Sequence, residues 1–557
     1  MNSEDQLAAA SSALAEGRWR DAHAEFGQIL ADGETAEAFF GLAVALWWLG
    51  ENQACVTACG RAYSLFRHSG EVERAAQCAV WLAITYKANF ANFSAANGWI
   101  GRAERLSEQV DSGALQGWVL VARAYRMVDL DAAEDLTAQA VEVARSAGDE
   151  DLELVALSQL GLVRVGKGEV TAGFALIDET MAAVLAGDRS TLDTVVYACC
   201  DMLNACELAS DIERAAQWCR VADEFVDTYG CPFLYAECRI TYGSVLTAEG
   251  RWNDAERELN AGLRITDGAC PGLHSKALAR LADLRIRQGR LEEAQLLLAN
   301  LGGGVEAEME EALSIAALLV ARGDAPAASR RLEQRLQSLG EHRSHLTSAL
   351  DLLVDARLAG GDIVGAGAAA GRLTEVASSV DSKRLEAMAA GAEGRVAMAR
   401  GDAQGAAVRM EAALRAWSHL GLPFEVARTR FEFSRSLAAS QPDVAVDHAR
   451  RALAAFESLG AGIEADRVAA YLRTKGVTAR VGAKGVGLLT TREQEVLRLL
   501  AVGLTNPEIA GRLHVSRKTA SHHVSSILSK LQLRNRAEVA AYVVGAHGSS
   551  TGPVDHQ

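Results

Sequence analysis

The sequence predicts an all-α protein: a long helical-hairpin solenoid over residues 1–475, then a small four-helix module over 489–547. A glycine-rich linker at 476–488 joins them, and a disordered tail follows at 548–557. Three observations carry this. The chain up to about residue 470 is rich in Ala, Leu, Glu and Arg, with only seven prolines in all 557 residues and few alternating β-branched runs. A short glycine-to-alanine pattern recurs along it. Beyond residue 488 the helices can be parsed from their caps.

The recurring pattern is an apolar run, a Gly or Ser, a polar step, and an Ala five residues later. It stands at Gly17 to Ala22, Ser210 to Ala215, Gly250 to Ala255, Gly289 to Ala294, Gly323 to Ala328, Gly361 to Ala366 and Gly401 to Ala406. From Ser210 on, successive spacings are 40, 39, 34, 38 and 40 residues. Gly can close one helix in the left-handed region, and the small Ala lets the next helix approach it closely. A single hairpin cannot bury its own apolar face, so about ten are expected to stack into a curved solenoid with a continuous core. These segments resemble degenerate tetratricopeptide repeats. That resemblance implies an arm that senses an effector or partner protein.

Eleven of the 31 aromatic residues fall between Phe39 and Trp99. Two readings stay open: core packing, or a pocket wall joined by Asn89, Asn92 and Asn97. GLVRVGKG, with Gly161, Gly166 and Lys167, matches seven positions of the phosphate-loop pattern. Gly168 stands where a Ser or Thr must reach Mg²⁺, and the segment reads as the end of a helix rather than a strand-to-helix loop, so nucleotide binding is not expected.

Ten cysteines without a CxxC pair or a His at ligand spacing read as buried small side chains, so no metal site and no cofactor is expected. No triad signature is present, and the protein is not expected to be an enzyme. The amino terminus has no secretory pattern, and the most apolar stretch, 38–50, is too short to span a bilayer. A cytoplasmic protein without membrane contact is the expectation.

Charge is unevenly distributed. Between Leu489 and His547 there are eight basic and four acidic residues, a net of +4, so the remainder carries −20 of the chain's −16. A small basic module on an acidic body fits an anionic partner at one end only.

In that module Thr490 and Glu493 form a capping-box pattern, and Gly503 ends the first helix. Asn506 before Pro507 begins a short second helix, and Ser516 caps a third that runs to about Leu531 after a turn through His514 and Val515. Asn535 and Glu538 start a fourth. On the third helix Ala520, Val524, Ile527, Leu528 and Leu531 share one face and pack inward. Lys518, Ser521, His522, Ser525 and Ser529 share the opposite face, which is small and polar enough to enter a DNA major groove. Ser521, His522 and Ser525 are the candidates to read base edges there. The bland alternative is an ordinary solvated face.

These residues carry a resemblance to the DNA-binding domains of the LuxR family. Its motif is matched over nearly all of 489–545, by Leu489-Thr490, Arg492-Glu493, Glu495-Val496-Leu497, Gly503, Thr505-Asn506, Glu508-Ile509-Ala510, Leu513, Ser516, Thr519, His523, Lys530-Leu531 and Arg536. The resemblance implies a helix-turn-helix whose third helix reads double-stranded DNA, with Thr505, Asn506 and Thr519 holding phosphates and the fourth helix pairing two copies. Arg512, Arg517, Lys518, Lys530 and Arg534 are phosphate candidates by charge, and Arg536 either joins them or braces the module. Val539, Ala540, Val543 and Val544 form an apolar strip for a homodimer, or seal the module's own core.

The family commonly has Val-Lys where Ala520-Ser521 stand, and often a basic residue at Ser525. Fewer cations on the reading face predict a shallow salt dependence. The expected function is a sequence-specific transcriptional regulator, similar to large LuxR-family regulators without their ATPase segment and without a receiver domain. The rival is an interaction adaptor whose last module does not touch DNA.

Overall fold

In the computed structural model the described residues are 3–125, 129–209, 211–301, 307–338, 343–378, 382–477, 491–513, 516–531, 533 and 538–539. They contain 28 helices, α1 (Ser3–Ala15) to α28 (Arg517–Leu531), and no strand. The chain divides into two compact units, residues 1–477 and 478–557. The expected linker and tail lie outside the described residues.

The first unit holds 25 helices among its described residues, twelve antiparallel hairpins and the closing helix α25 (Gly462–Thr474). The glycine-to-alanine signature has the expected physical role. Gly17, Gly250, Gly289, Gly323, Gly361 and Gly401 all have φ between 72° and 83°, the region only glycine enters without strain. Each later alanine, Ala22, Ala215, Ala255, Ala294, Ala328, Ala366 and Ala406, is fully buried. A larger side chain at these points would overpack the helix contact, at a cost of about 1–3 kcal/mol.

The phosphate-loop lookalike is absorbed by the same packing. Gly161 lies inside α9 (Glu150–Lys167), where a Cβ would meet Ile177 at 2.5 Å and the Gly173 carbonyl at 2.6 Å, so it marks the closest approach of α9 and α10 (Val170–Ala186). Gly168 ends α9 in the left-handed region. Lys167 pairs with Asp131 at 2.5 Å and Glu134 at 2.6 Å, which hold it charged.

The solenoid is wound tightly enough for its turns to touch. Trp19 stacks on Trp48 at 4.3 Å, the Trp19 indole donates to the Tyr229 carbonyl at 2.5 Å, and the Trp48 indole donates to Asp193 at 2.9 Å. These contacts join the first two hairpins to the sixth. Arg287 reaches Glu425 at 3.3 Å, and Trp252 packs on Phe424, joining the seventh and eighth hairpins to the twelfth. Aromatic residues 39–99 serve both readings. Tyr63 and Phe66 are core, whereas Trp47, Trp81 and Phe93 border a cavity inside the coil. Asn89 is buried and donates to Asn52, Asn92 caps a helix, and Asn97 borders the cavity.

Nine of the ten cysteines are buried and all are free thiols. Burial pushes Cys270 up to about 11 and Cys199 up to about 12, which keeps both protonated. No group of three His, Cys, Asp or Glu side chains is arranged to hold a metal ion among the described residues, and no helix there is long and apolar enough to cross a membrane.

Candidate nucleic-acid interface

The second unit is built on α26 (Thr491–Ala501), α27 (Asn506–Arg512) and α28. Gly503 ends α26 with φ 89°, as its position in the motif requires. Thr505 precedes α27, and its backbone N–H and hydroxyl both donate to Glu508, at 2.6 and 2.7 Å. This pins the start of the short helix. At the next start Ser516 accepts the Thr519 N–H at 3.0 Å and bonds its hydroxyl at 2.7 Å, which satisfies a helix-terminal donor and fixes where α28 begins.

The core of the unit is formed by Val496, Leu497, Leu500, Ile509, Ala510, Ala520, Val524 and Ile527, with Leu528 packed against it. Four of the five residues expected on the inner face of α28 are therefore inside, and the Leu531 side chain is outside the described set. Because one face of α28 is spent on this core, the other must face away from it. Ser521 and Ser525 are exposed there, as are Arg517 and Thr519 at its start and Arg512 at the end of α27. Thr505 is exposed and Asn506 half-buried, its Oδ1 without a hydrogen-bond donor.

Lys518, His522 and Lys530 fall on α28 by register, with side chains outside the described residues, and Arg534 lies outside them altogether. So do the capping residue Thr490 and the turn residues His514 and Val515. One expected role is corrected: Val539 is fully buried in the unit's own core and is not free to meet a second copy. Its partners in the proposed strip, Ala540, Val543 and Val544, lie outside the described residues.

A second site-like feature lies in the arm, of which the sequence offered only one wall, among residues 39–99. The coil encloses a cavity of about 1620 Å³ bordered by residues from Trp47 to Arg467. Two acids stand in its wall, Asp201 buried and Asp193 half-buried. Asp201 accepts from the Ser158 hydroxyl at 2.8 Å and the Tyr125 hydroxyl at 3.5 Å, and burial still pushes its carboxyl up to about 7. Asp193 is raised to about 6 by burial, against the Trp48 hydrogen bond. The asparagines and aromatics of 39–99 were the only legible signal of this cavity, since its other walls come from repeats distant in sequence.

Residues 487–543 match GerE, the family described as bacterial regulatory proteins of the luxR family. Across this segment the chain is 47% identical over 55 residues to the response regulator protein VraR of Staphylococcus aureus, and equally to the proteins of that name from Staphylococcus saprophyticus and Staphylococcus epidermidis. The match takes in 10% of this chain and 26% of each relative, so the chain spans about a quarter of those relatives' length. Among solved structures, a Rap protein complexed with competence and sporulation factor is 13% identical with a TM-score of 0.38, over 75% of this chain and 99% of that one. The APC/C hetero-tetramer Cut9-Hcn1 is 14% identical with a TM-score of 0.39, over 84% and 96%.

Proposed function

Since the chain carries a luxR-family regulatory domain at residues 487–543, we propose that it is a cytoplasmic, sequence-specific DNA-binding transcriptional regulator whose helical repeat arm senses an effector or partner protein. The observation that carries this is the division of α28 into a buried apolar face and an exposed polar one, capped at its start by Ser516. A recognition helix needs just that: one side held rigid by core, the other slim enough to enter a major groove. Ser521, His522 and Ser525 read base edges. Thr505, Asn506, Arg512, Arg517, Lys518, Thr519, Lys530 and Arg534 contact phosphates and set the register without specifying sequence.

One module of this size makes too small an interface for tight specific binding, so two copies act together as a homodimer on inverted half-sites. Ala540, Val543 and Val544 are the surface we assign to that pairing, with Val539 excluded by its burial.

The test is binding of the full-length protein to labelled duplexes of random sequence across a range of salt concentrations. Affinity should fall linearly on a log–log scale with a shallow slope, and Arg512→Ala should reduce that slope by about 1. Absent or salt-independent duplex binding would favour an interaction adaptor and overturn the regulator reading.

A further inference from the structure

Among the polar groups that border the axial cavity of the arm and keep bonding capacity unused are Arg384 and Gln159. Arg384, near the start of α21 (Lys383–Ala399), borders the cavity and has no hydrogen bond or ion pair among the described residues. Several cations of the same wall are matched to carboxylates. Arg287 pairs with Asp283 at 2.9 Å and Glu425 at 3.3 Å, Arg395 with Asp355 at 2.9 Å, and Arg428 with Asp351 at 3.2 Å and Asp355 at 3.4 Å. Gln159 is the other group. It is 2% exposed and donates to the Val121 carbonyl at 3.3 Å, while its Oε1, also in the cavity wall, has no donor.

Arg384 is half-buried, and its five N–H donors meet no acceptor from the described residues of the cavity wall. Burial and the positive charges of Arg287 and Arg280 lower the pKa of Arg384, against the opposing pull of Glu425 and Glu207. The planar fork of such a group matches a carboxylate or phosphate in two-point geometry. At about 1620 Å³ the cavity exceeds the usual size of a small-molecule pocket, about 300–1000 Å³, and so has room for a compact ligand with some water.

We propose that the axial cavity binds a small molecule bearing one carboxylate or phosphate, which pairs with the Arg384 guanidinium. This rests on the reading of the arm as the sensing part of the protein and names the chemistry it senses. Glu207 and Glu425 beside Arg384 disfavour a ligand with several negative charges.

The experiment uses the full-length protein, with Arg384→Gln and Arg384→Lys, and follows thermal unfolding. The probes are N-acetyl-leucine and N-acetyl-phenylalanine against their carboxamides, and glycerol phosphate against glycerol. One of the two anion classes should raise the Tm of the wild type while its neutral counterpart does not, which separates carboxylate from phosphate. Arg384→Gln should abolish that shift, and Arg384→Lys should retain part of it.

Equal stabilisation by neutral and anionic probes, an undiminished shift in Arg384→Gln, or no response to either anion class would each overturn the proposal. Duplex affinity measured in the same samples separates its failure from that of the regulator reading. Loss of DNA binding with an intact anion response would sink the regulator alone.

Discussion

Replacing Asp201 by Asn should change how the arm's stability depends on pH. Asp201 is 2% exposed and bonded only by hydroxyl donors, and its carboxyl titrates at about 7 rather than at 3.8. The sign follows from proton binding. Between pH 4 and pH 7 the folded protein holds a proton on Asp201 that the unfolded chain has released, so stability falls as pH rises through that window and levels off above it. The gap between 3.8 and about 7 corresponds to about 4 kcal/mol. Asn keeps the shape and an acceptor oxygen but cannot ionise. The cost of finding a partner for its amide N–H₂ is the same at every pH and cancels in a comparison.

The arm's 477 residues imply an unfolding entropy of about 1 kcal/mol/K if it melts as one unit, so the Tm of Asp201→Asn relative to wild type should rise by about 3 °C more at pH 8 than at pH 4.5, where part of the gap has already been crossed. Asp193, half-buried and raised to about 6, keeps a smaller slope of the same sign in the variant. The assay is paired calorimetry or dichroism melts at the two pH values. A Tm difference between variant and wild type that is equal at both, or larger at pH 4.5, would refute the account of Asp201 as a buried neutral acid.

Ser521→Ala and Ser525→Ala should each alter base preference by about 1–3 kcal/mol at one operator position while leaving the fold intact, measured by selection from a randomised duplex pool; unchanged preference in both would remove the reading face. Ser516→Ala removes the acceptor for the Thr519 N–H and should destabilise the carboxy-terminal unit by about 1 kcal/mol in a denaturant melt, with no loss expected in the arm. Lys167→Ala should lower arm stability by about 1 kcal/mol through its lost pairs with Asp131 and Glu134, and ATP with Mg²⁺ should shift neither the wild-type melt nor the variant's. On a palindromic duplex, sedimentation should find two protein chains per DNA; a strict one-to-one complex would defeat the homodimer.

Much of this protein is local, and local features are readable from sequence. Gly17 and Gly250 are in the left-handed region because a helix must stop there, and Ala22 and Ala255 are buried because two helices must come close five residues later. The same holds for Gly503, for Ser516 and for the inward face of α28: caps and periodicity act within a few residues and so leave a direct trace. Val539 shows the limit, since an apolar strip at helical spacing has the same pattern whether a second chain or the unit's own core covers it. Only packing decided that it is core. The cavity lies further beyond the sequence. Trp48 meets Asp193, and Arg287 meets Glu425, because the pitch of the solenoid brings one turn onto the next. That pitch is the accumulated sum of small rotations between neighbouring hairpins, no one of which is encoded in a motif. Arg384 is one arginine among many in the sequence, and it becomes distinctive only where the coil sets it in the cavity wall beside arginines that have found carboxylates.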